Sequence, residues 1–159
     1  MNTPFTLRTA MPGDEELILT LLRELAIYEK LTGKFKITRE AIARDFIGEH
    51  APLKVTLLHE GEKPAGIATW YHIYSSFAAT RGIFLEDLFV RPEFRGRGYG
   101  KALMAHLTAA RDNATYIEWA VLDWNKPSID FYEGLGAERG GGWYIYRLTG
   151  EAFARLAGS

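Results

Sequence analysis

Residues 83–110 read IFLEDLFVRPEFRGRGYGKALMAHLTAA, and this stretch decides the fold. Ile83 to Val90 is a mostly apolar run of strand length, which predicts a central, largely buried strand. A loop of Pro, Gly and Arg follows. Leu103, Met104, Leu107 and Ala110 then recur on one helical face. The unit is strand, loop, helix. C-terminal to it, Tyr116 to Leu122 predicts another strand, and the helix after Pro127 carries Ile129, Phe131, Tyr132 and Leu135. Trp143 to Leu148 is expected to close the sheet, ahead of a short amphipathic helix from Glu151 to Leu156.

N-terminal to the central unit, the period changes twice. Beyond an apolar opening at Phe5 and Leu7, the acids Asp14, Glu15 and Glu16 precede Leu17, Leu21, Leu25 and Tyr28. That spacing predicts an amphipathic helix from about Asp14 to Leu31, with acids at the positive end of its dipole. Thr38 opens a second, shorter helix that reaches about Ile47 and stops at Gly48. Val55 and Leu57, a turn at residues 60–64, and Ile67 to Tyr74 predict an antiparallel hairpin. A hairpin half and an alternating half together predict an α/β fold with a mixed sheet.

Composition narrows the function classes. The 159 residues predict a single domain, 1–159, and 47% hydrophobic with 25% charged residues is the globular average. No apolar run approaches the ~20 residues needed to cross a bilayer, so a soluble protein with no membrane partner is expected. Residues 1–12 carry no extended apolar stretch, and no secretory leader is expected. The chain has no cysteine, which excludes a disulfide scaffold, a thiolate metal site and a Cys nucleophile, and suggests a reducing, cytoplasmic setting. His50, His59, His72 and His106 show no metal spacing, so no metal is expected. A net charge of −1 argues against a large nucleic-acid footprint.

Two acids interrupt the central strand. Burying an unpaired carboxylate is costly, so Glu86 and Asp87 each need a partner or a task. Adjacent strand residues point to opposite faces, which rules out a facing carboxylate pair. Either each is paired for structure, or one is a partly desolvated general base and the other orients or contacts substrate.

The loop from Arg91 to Lys101 carries four basic residues and one acid, and its glycines let several backbone N–H groups converge at a helix N-terminus. A phosphate-bearing ligand is expected. A Walker loop would need Ser or Thr after Lys101, where Ala102 stands. A dinucleotide fingerprint would need a glycine where Leu103 stands, counted from Gly98.

Arg95, Gly98 and Gly100 resemble the pyrophosphate loop of the GNAT acetyltransferases. The likeness extends to Leu85-Glu86-Asp87-Leu88-Phe89-Val90, to Trp124-Asn125-Lys126-Pro127-Ser128-Ile129-Asp130-Phe131-Tyr132, and to Glu24-Leu25-Ala26-Ile27-Tyr28-Glu29. Together these resemble the spermidine/spermine (diamine) N-acetyltransferase and thialysine acetyltransferase group, over about Phe5 to Leu156. The resemblance implies a mixed, mostly antiparallel sheet flanked by helices and splayed at an acetyl-CoA site. Leu88, Phe89 and Val90 would offer main-chain groups to the pantetheine arm. Arg95, Gly96, Arg97, Gly98, Tyr99, Gly100 and Lys101 would hold the pyrophosphate, with Asn125 and Ser128 near the cofactor. It also implies Glu86 as base through water, Tyr132 as the acid for the leaving thiolate, and a small amine held by Tyr28, Glu29, Asp87, Glu118, Trp119 and Ala120. Members are usually homodimers.

Alternatives stay open on the residues themselves. Ser128 also suits plain helix capping, and Tyr28 a core position. Trp70, Tyr71, Tyr74 and Phe77 could line a pocket, pack a core or meet a partner. Polyamine enzymes of the group carry acids before Gly-Trp, whereas this chain has Gly140-Gly141-Gly142-Trp143, which favours a smaller amine, diamine or amino-acid side chain over spermidine. A non-catalytic acyl-CoA-binding or sensing module is the competing function class.

Overall fold

The computed structural model describes residues 4–109 and 112–158, so Ala110 of the expected helical face lies outside the described residues. The chain divides into two compact units, residues 1–124 and 125–159.

The first unit is a five-stranded sheet ordered β1-β2-β3-β4-β5, formed by Phe5–Thr9, Lys54–Glu60, Lys63–Ser75, Thr80–Val90 and Ala114–Trp119. The first four strands pair antiparallel, and β4 pairs parallel with β5, which gives the expected mixed sheet. The apolar opening at Phe5 and Leu7 is itself a strand, on the outer edge of β2. Where β4 meets β5, Gly82 lies against the Tyr116 ring, and an added Cβ would sit 2.3 Å from a ring carbon. Any larger residue at that rung would have to displace the Tyr116 ring.

Both sheet faces are covered. Helix α1, Glu15–Tyr28, buries Ile18, Leu21, Leu22 and Leu25, and α2, Arg39–Asp45, adds Ile42 to the same core with Val55, Leu57, Ile67 and Phe89. On the opposite face α3, Tyr99–Ala109, packs Leu103, Met104 and Leu107 on Leu58, Ala68, Ile83 and Leu85. Thr38 caps α2 by accepting from the Ala41 amide at 3.2 Å.

Helix α1 is shorter than its pattern suggests. It ends at Tyr28 because Leu31 N donates to Ala26 O and Lys30 N to Ile27 O, a Schellman closure with Lys30 at φ +59°. No glycine marks this end. Glu29 becomes the C-cap residue.

The second unit holds α4, Lys126–Gly134, and α5, Gly150–Leu156. The expected strand at Trp143 to Leu148 does not form; the segment is irregular and exposed. Its aromatic and β-branched residues have strand propensity, but a strand exists only where a ladder receives its N–H and C=O groups.

The β1–α1 connection is held by one carboxylate. Asp14 accepts from Arg8 Nη1 at 2.6 Å and Nη2 at 2.8 Å, and from the Met11 amide at 2.8 Å. The Arg8 guanidinium holds the Asp14 carboxyl below its ordinary value. This stabilisation is therefore present above the ordinary carboxylate range and lost as pH falls through the depressed native value. Asp14→Asn is expected to cost about 1–3 kcal/mol at neutral pH, with the gap to the parent closing below about pH 3. Urea melts at both pH values measure it, and equal midpoints at neutral pH would refute the assignment.

Candidate active site

The β3–β4 register steps from Thr69↔Asp87 to Trp70↔Leu85, which leaves Glu86 as the extra residue of a β-bulge. The bulge resets the strand's alternation. Ile83 and Leu85 pack on the α3 side, and so do Leu88 and Val90, while Phe89 joins the α1 core. The simple alternation expected of this strand is thus broken at the two acids. Glu86 is exposed, and Asp87 is half-buried, accepting from Thr69 Oγ1 at 2.5 Å.

The same place ends the parallel ladder. The last β4–β5 rung is Leu85↔Trp119, whereas β3–β4 pairing continues to Gly66↔Val90. From Glu86 to Val90, the edge of β4 that faces away from β3 lies beyond the β5 ladder. Leu88, Phe89 and Val90 stand along this splay, and Glu118 and Trp119 end the facing strand, with Ala120 just past it.

Below the splay, Pro92–Phe94 form a single 3-10 turn and the chain enters α3 at Tyr99. Gly96 and Gly98 take φ of +76° and +82°, and each faces open space where a side chain would stand. Two left-handed glycines before the N-terminus of an eleven-residue helix are the backbone arrangement that turns successive N–H groups toward a pyrophosphate. Gly100 is not part of the loop proper but sits in the first turn of α3.

The basic count of this loop overstates its free charge. Arg91 forms a two-pronged ion pair with Glu24, at 2.9 and 2.8 Å, and donates to Pro64 O. Arg97 pairs with Glu60 at 2.6 Å, and the buried Tyr99 hydroxyl also donates to Glu60. The terminal nitrogens of Arg97 and the Tyr99 hydroxyl are therefore engaged within the chain, which leaves the backbone amides of these residues as their candidate donors to an anion. Arg95 donates to Val90 O at 2.9 Å, and Lys101 is exposed.

On the α1 side, burial and then the Asp87 charge push the Glu29 carboxyl up, and burial, then Glu86, push Asp87 up against the lowering effect of Thr69. Burial and Glu86 likewise raise the Tyr71 phenol, which stacks near Phe84. A carboxylate at a helix C-terminus also opposes the dipole. Glu29, Asp87 and Glu86 thus form an acidic run at the bulge, the first two partly desolvated. The expected desolvated acid is not Glu86; burial falls on its neighbours.

In the second unit, Asn125 is buried and caps α4, its Oδ1 accepting from the Ser128 amide at 3.4 Å. This gives both residues a structural task. Tyr132 is half-buried, its ring 5.2 Å from that of Phe131. Among the described residues no group of three or more His, Cys, Asp or Glu is arranged to hold a metal.

The Acetyltransferase (GNAT) family model matches residues 18–137. The chain belongs to the GNAT acetyltransferase family. Thialysine N-epsilon-acetyltransferase of Bos taurus is 39% identical over 165 residues, covering 96% of each chain. L-ornithine N5-acetyltransferase of Arabidopsis thaliana is 28% identical, covering 94% of this chain and 86% of that protein. An integron cassette protein from V. cholerae shares the fold, with a TM-score of 0.79 at 24% identity over 100% of this chain and 99% of that one. This GNAT protein is an enzyme, and acetyl-CoA is its acyl donor.

Thr69, Glu24 and Glu60 support the site; Glu24 stands in a stretch that carries the resemblance, but no local spacing links any of the three to its partner, because each is joined to it only by the fold. The raised Glu29 carboxyl has a measurable consequence. A carboxyl with a raised native value makes the folded state bind more protons, so its cost grows as pH rises from the ordinary value through the native one. Glu29→Gln is expected to raise Tm by about 2–4 °C near pH 8, with the gain vanishing toward about pH 4. Calorimetric scans test this, and a lower Tm near pH 8 would mean that Glu29 has an attractive partner.

Proposed function

We propose that this GNAT enzyme acetylates the primary amine of a small acceptor, an amino-acid side chain or a short diamine. The observation that carries the reading is the pair Glu29 and Asp87, two carboxyls raised by burial and by neighbouring charge, where α1 ends beside the β4 bulge. A cation relieves both costs. The names of the bovine and Arabidopsis relatives, acting on thialysine and L-ornithine, support this acceptor class. The missing acids at residues 140–142 weigh against a long polyamine, which needs several spaced carboxylates.

The donor supplies an activated thioester acyl group. The amides of Gly96 to Lys101 hold its pyrophosphate, and the free edge of β4 at Leu88 to Val90 lines its arm. The amine arrives protonated and must lose a proton before its nitrogen bonds to the acyl carbon. Glu86 takes that proton through water, for which its exposed position at the bulge is suited. As the carbon–sulfur bond breaks, the Tyr132 hydroxyl gives its proton to sulfur, and the acylated nitrogen sheds its second proton to solvent, from which the phenolate is reprotonated. Transfer is direct, in a ternary complex, since no Cys is present to carry the acyl group. The family match spans both compact units, which supports reading 1–159 as one N-acetyltransferase domain, and the lack of cysteine suits a cytoplasmic setting.

Acetyl-CoA with a panel of thialysine, L-lysine, L-ornithine, 1,3-diaminopropane and spermidine should release thiol, fastest with the first four. Silence across the panel would defeat the reading. Tyr132→Phe should lower kcat by about 10²–10⁴ with acetyl-CoA affinity retained, and Glu86→Gln should shift the pH–rate profile.

We further infer that the partner is a second copy of the chain. Trp143, Tyr144, Ile145 and Tyr146 are 89–92% exposed in one continuous run, and β5 is an edge strand of the sheet. A long apolar segment with strand propensity and a sheet edge are complementary surfaces, and each is a liability in water. Sedimentation should show a dimer at micromolar concentration and a monomer for Ile145→Asp. A monomeric parent would refute the pairing.

A further inference from the structure

Arg95 stands at the head of the glycine loop, yet its side chain is turned toward α1. Its Nε donates to Val90 O at 2.9 Å, and its guanidinium carbon lies 5.0 Å from the Tyr28 ring centroid and 5.8 Å from that of Phe89. The Tyr28 ring meets Trp124 with centroids 6.4 Å apart, and Lys30 Nζ lies 5.0 Å from the Trp124 centroid. Phe89, Arg95, Tyr28, Trp124 and Lys30 thus form one continuous run of rings and cations within the first unit. It joins the end of β4 and the glycine loop to the last residue of α1. Glu29, whose carboxyl feels Asp87, is the next residue.

We propose that Arg95 is a positioning residue that couples occupancy of the glycine loop to amine affinity. The inference rests on the acetyl-CoA and amine reading above. Arg95 is exposed, and Gly96 immediately after it has an open, left-handed backbone, so the latch on Tyr28 must be paid for in loop order. An anion gripped by the amides of Gly96 to Lys101 fixes that loop. Arg95 is then held over Tyr28 at little further entropic cost, and Tyr28 with Glu29 is set for the amine. Because coupling is reciprocal, the amine must tighten CoA by the same factor. One exposed cation–ring contact changes an equilibrium constant by about two- to fivefold, and Arg95 makes two. Coupling of at least about fivefold is therefore expected.

Lysine at this position keeps the charge but loses the planar face and the Nε donor. Calorimetry would use CoA, which cannot transfer an acyl group, and whichever panel amine is turned over fastest. In the parent, CoA should tighten the amine at least about fivefold. In Arg95→Lys the factor should fall to about one, with CoA affinity alone changed less than about threefold. Tyr28→Leu should abolish the coupling equally, and the double variant should add nothing further. In turnover, Arg95→Lys should raise the amine KM by about the lost factor, a larger change than any in kcat. If Arg95→Lys weakens CoA tenfold or more and leaves the coupling intact, Arg95 is a phosphate ligand and the proposal fails. A parent that binds CoA and amine independently also overturns it, leaving the acetyltransferase reading untouched; a folded parent that binds no CoA overturns both.

Discussion

One extra residue in β4 organises this enzyme. A strand paired on both sides has no freedom to turn a single side chain, because a shift of one residue moves every later side chain to the other face. The bulge at Glu86 is that shift, made in mid-strand. Before it, β4 belongs to ladders on both sides; after it, only the β3 ladder continues. The splay, the exposure of Glu86 and the turn of Asp87 toward α1 follow from the same step. Neither acid could occupy its place in an unbroken strand without an uncompensated carboxylate in the core.

Glu24 and Glu60 neutralise Arg91 and Arg97, and these pairs fasten the loop to α1 and to the β2 end. Side-chain charge in the loop is thus spent on architecture, and the amides of a helix N-terminus are left to meet an anion. Backbone donors bring no long side chain to be ordered on binding, whereas a free arginine would have to be ordered. The acceptor side follows the opposite rule. There Asp87 accepts from Thr69 and is otherwise raised by burial, and Glu29 lies at an unfavourable helix end.

What the amino-acid sequence discloses is divided along the same physical line. The strand-loop-helix order, the acidic start of α1, the Thr38 cap, the Asn125 cap region and the glycine loop are local, and periodicity or residue chemistry exposes them. The end of α1 is local too, but it closes on Lys30 in a left-handed conformation that glycine would ordinarily signal. The bulge is invisible, because Leu85-Glu86-Asp87-Leu88 contains neither Gly nor Pro and its register depends on β3. Thr69, Glu24 and Glu60 lie 18, 67 and 37 residues from their partners, beyond any spacing rule. The segment at Trp143 to Leu148 makes the complementary point: its composition describes a strand, yet composition cannot provide the neighbouring ladder.

The division of labour among the three acids has a physical logic. A carboxylate that binds an ammonium group also stabilises its charged form, and so resists the deprotonation that attack on an acyl carbon requires. Binding and proton removal therefore conflict if one residue must do both. Asp87 is held by Thr69 and raised by burial, and Glu29 lies beside it, so this pair suits attraction of a cation. Glu86 projects from the bulge into solvent, where a proton can be accepted and passed on without moving a buried charge. The extra residue in β4 separates these tasks by one peptide unit, and in the proposed reaction that separation lets a site built to hold an ammonium ion also deliver a neutral amine.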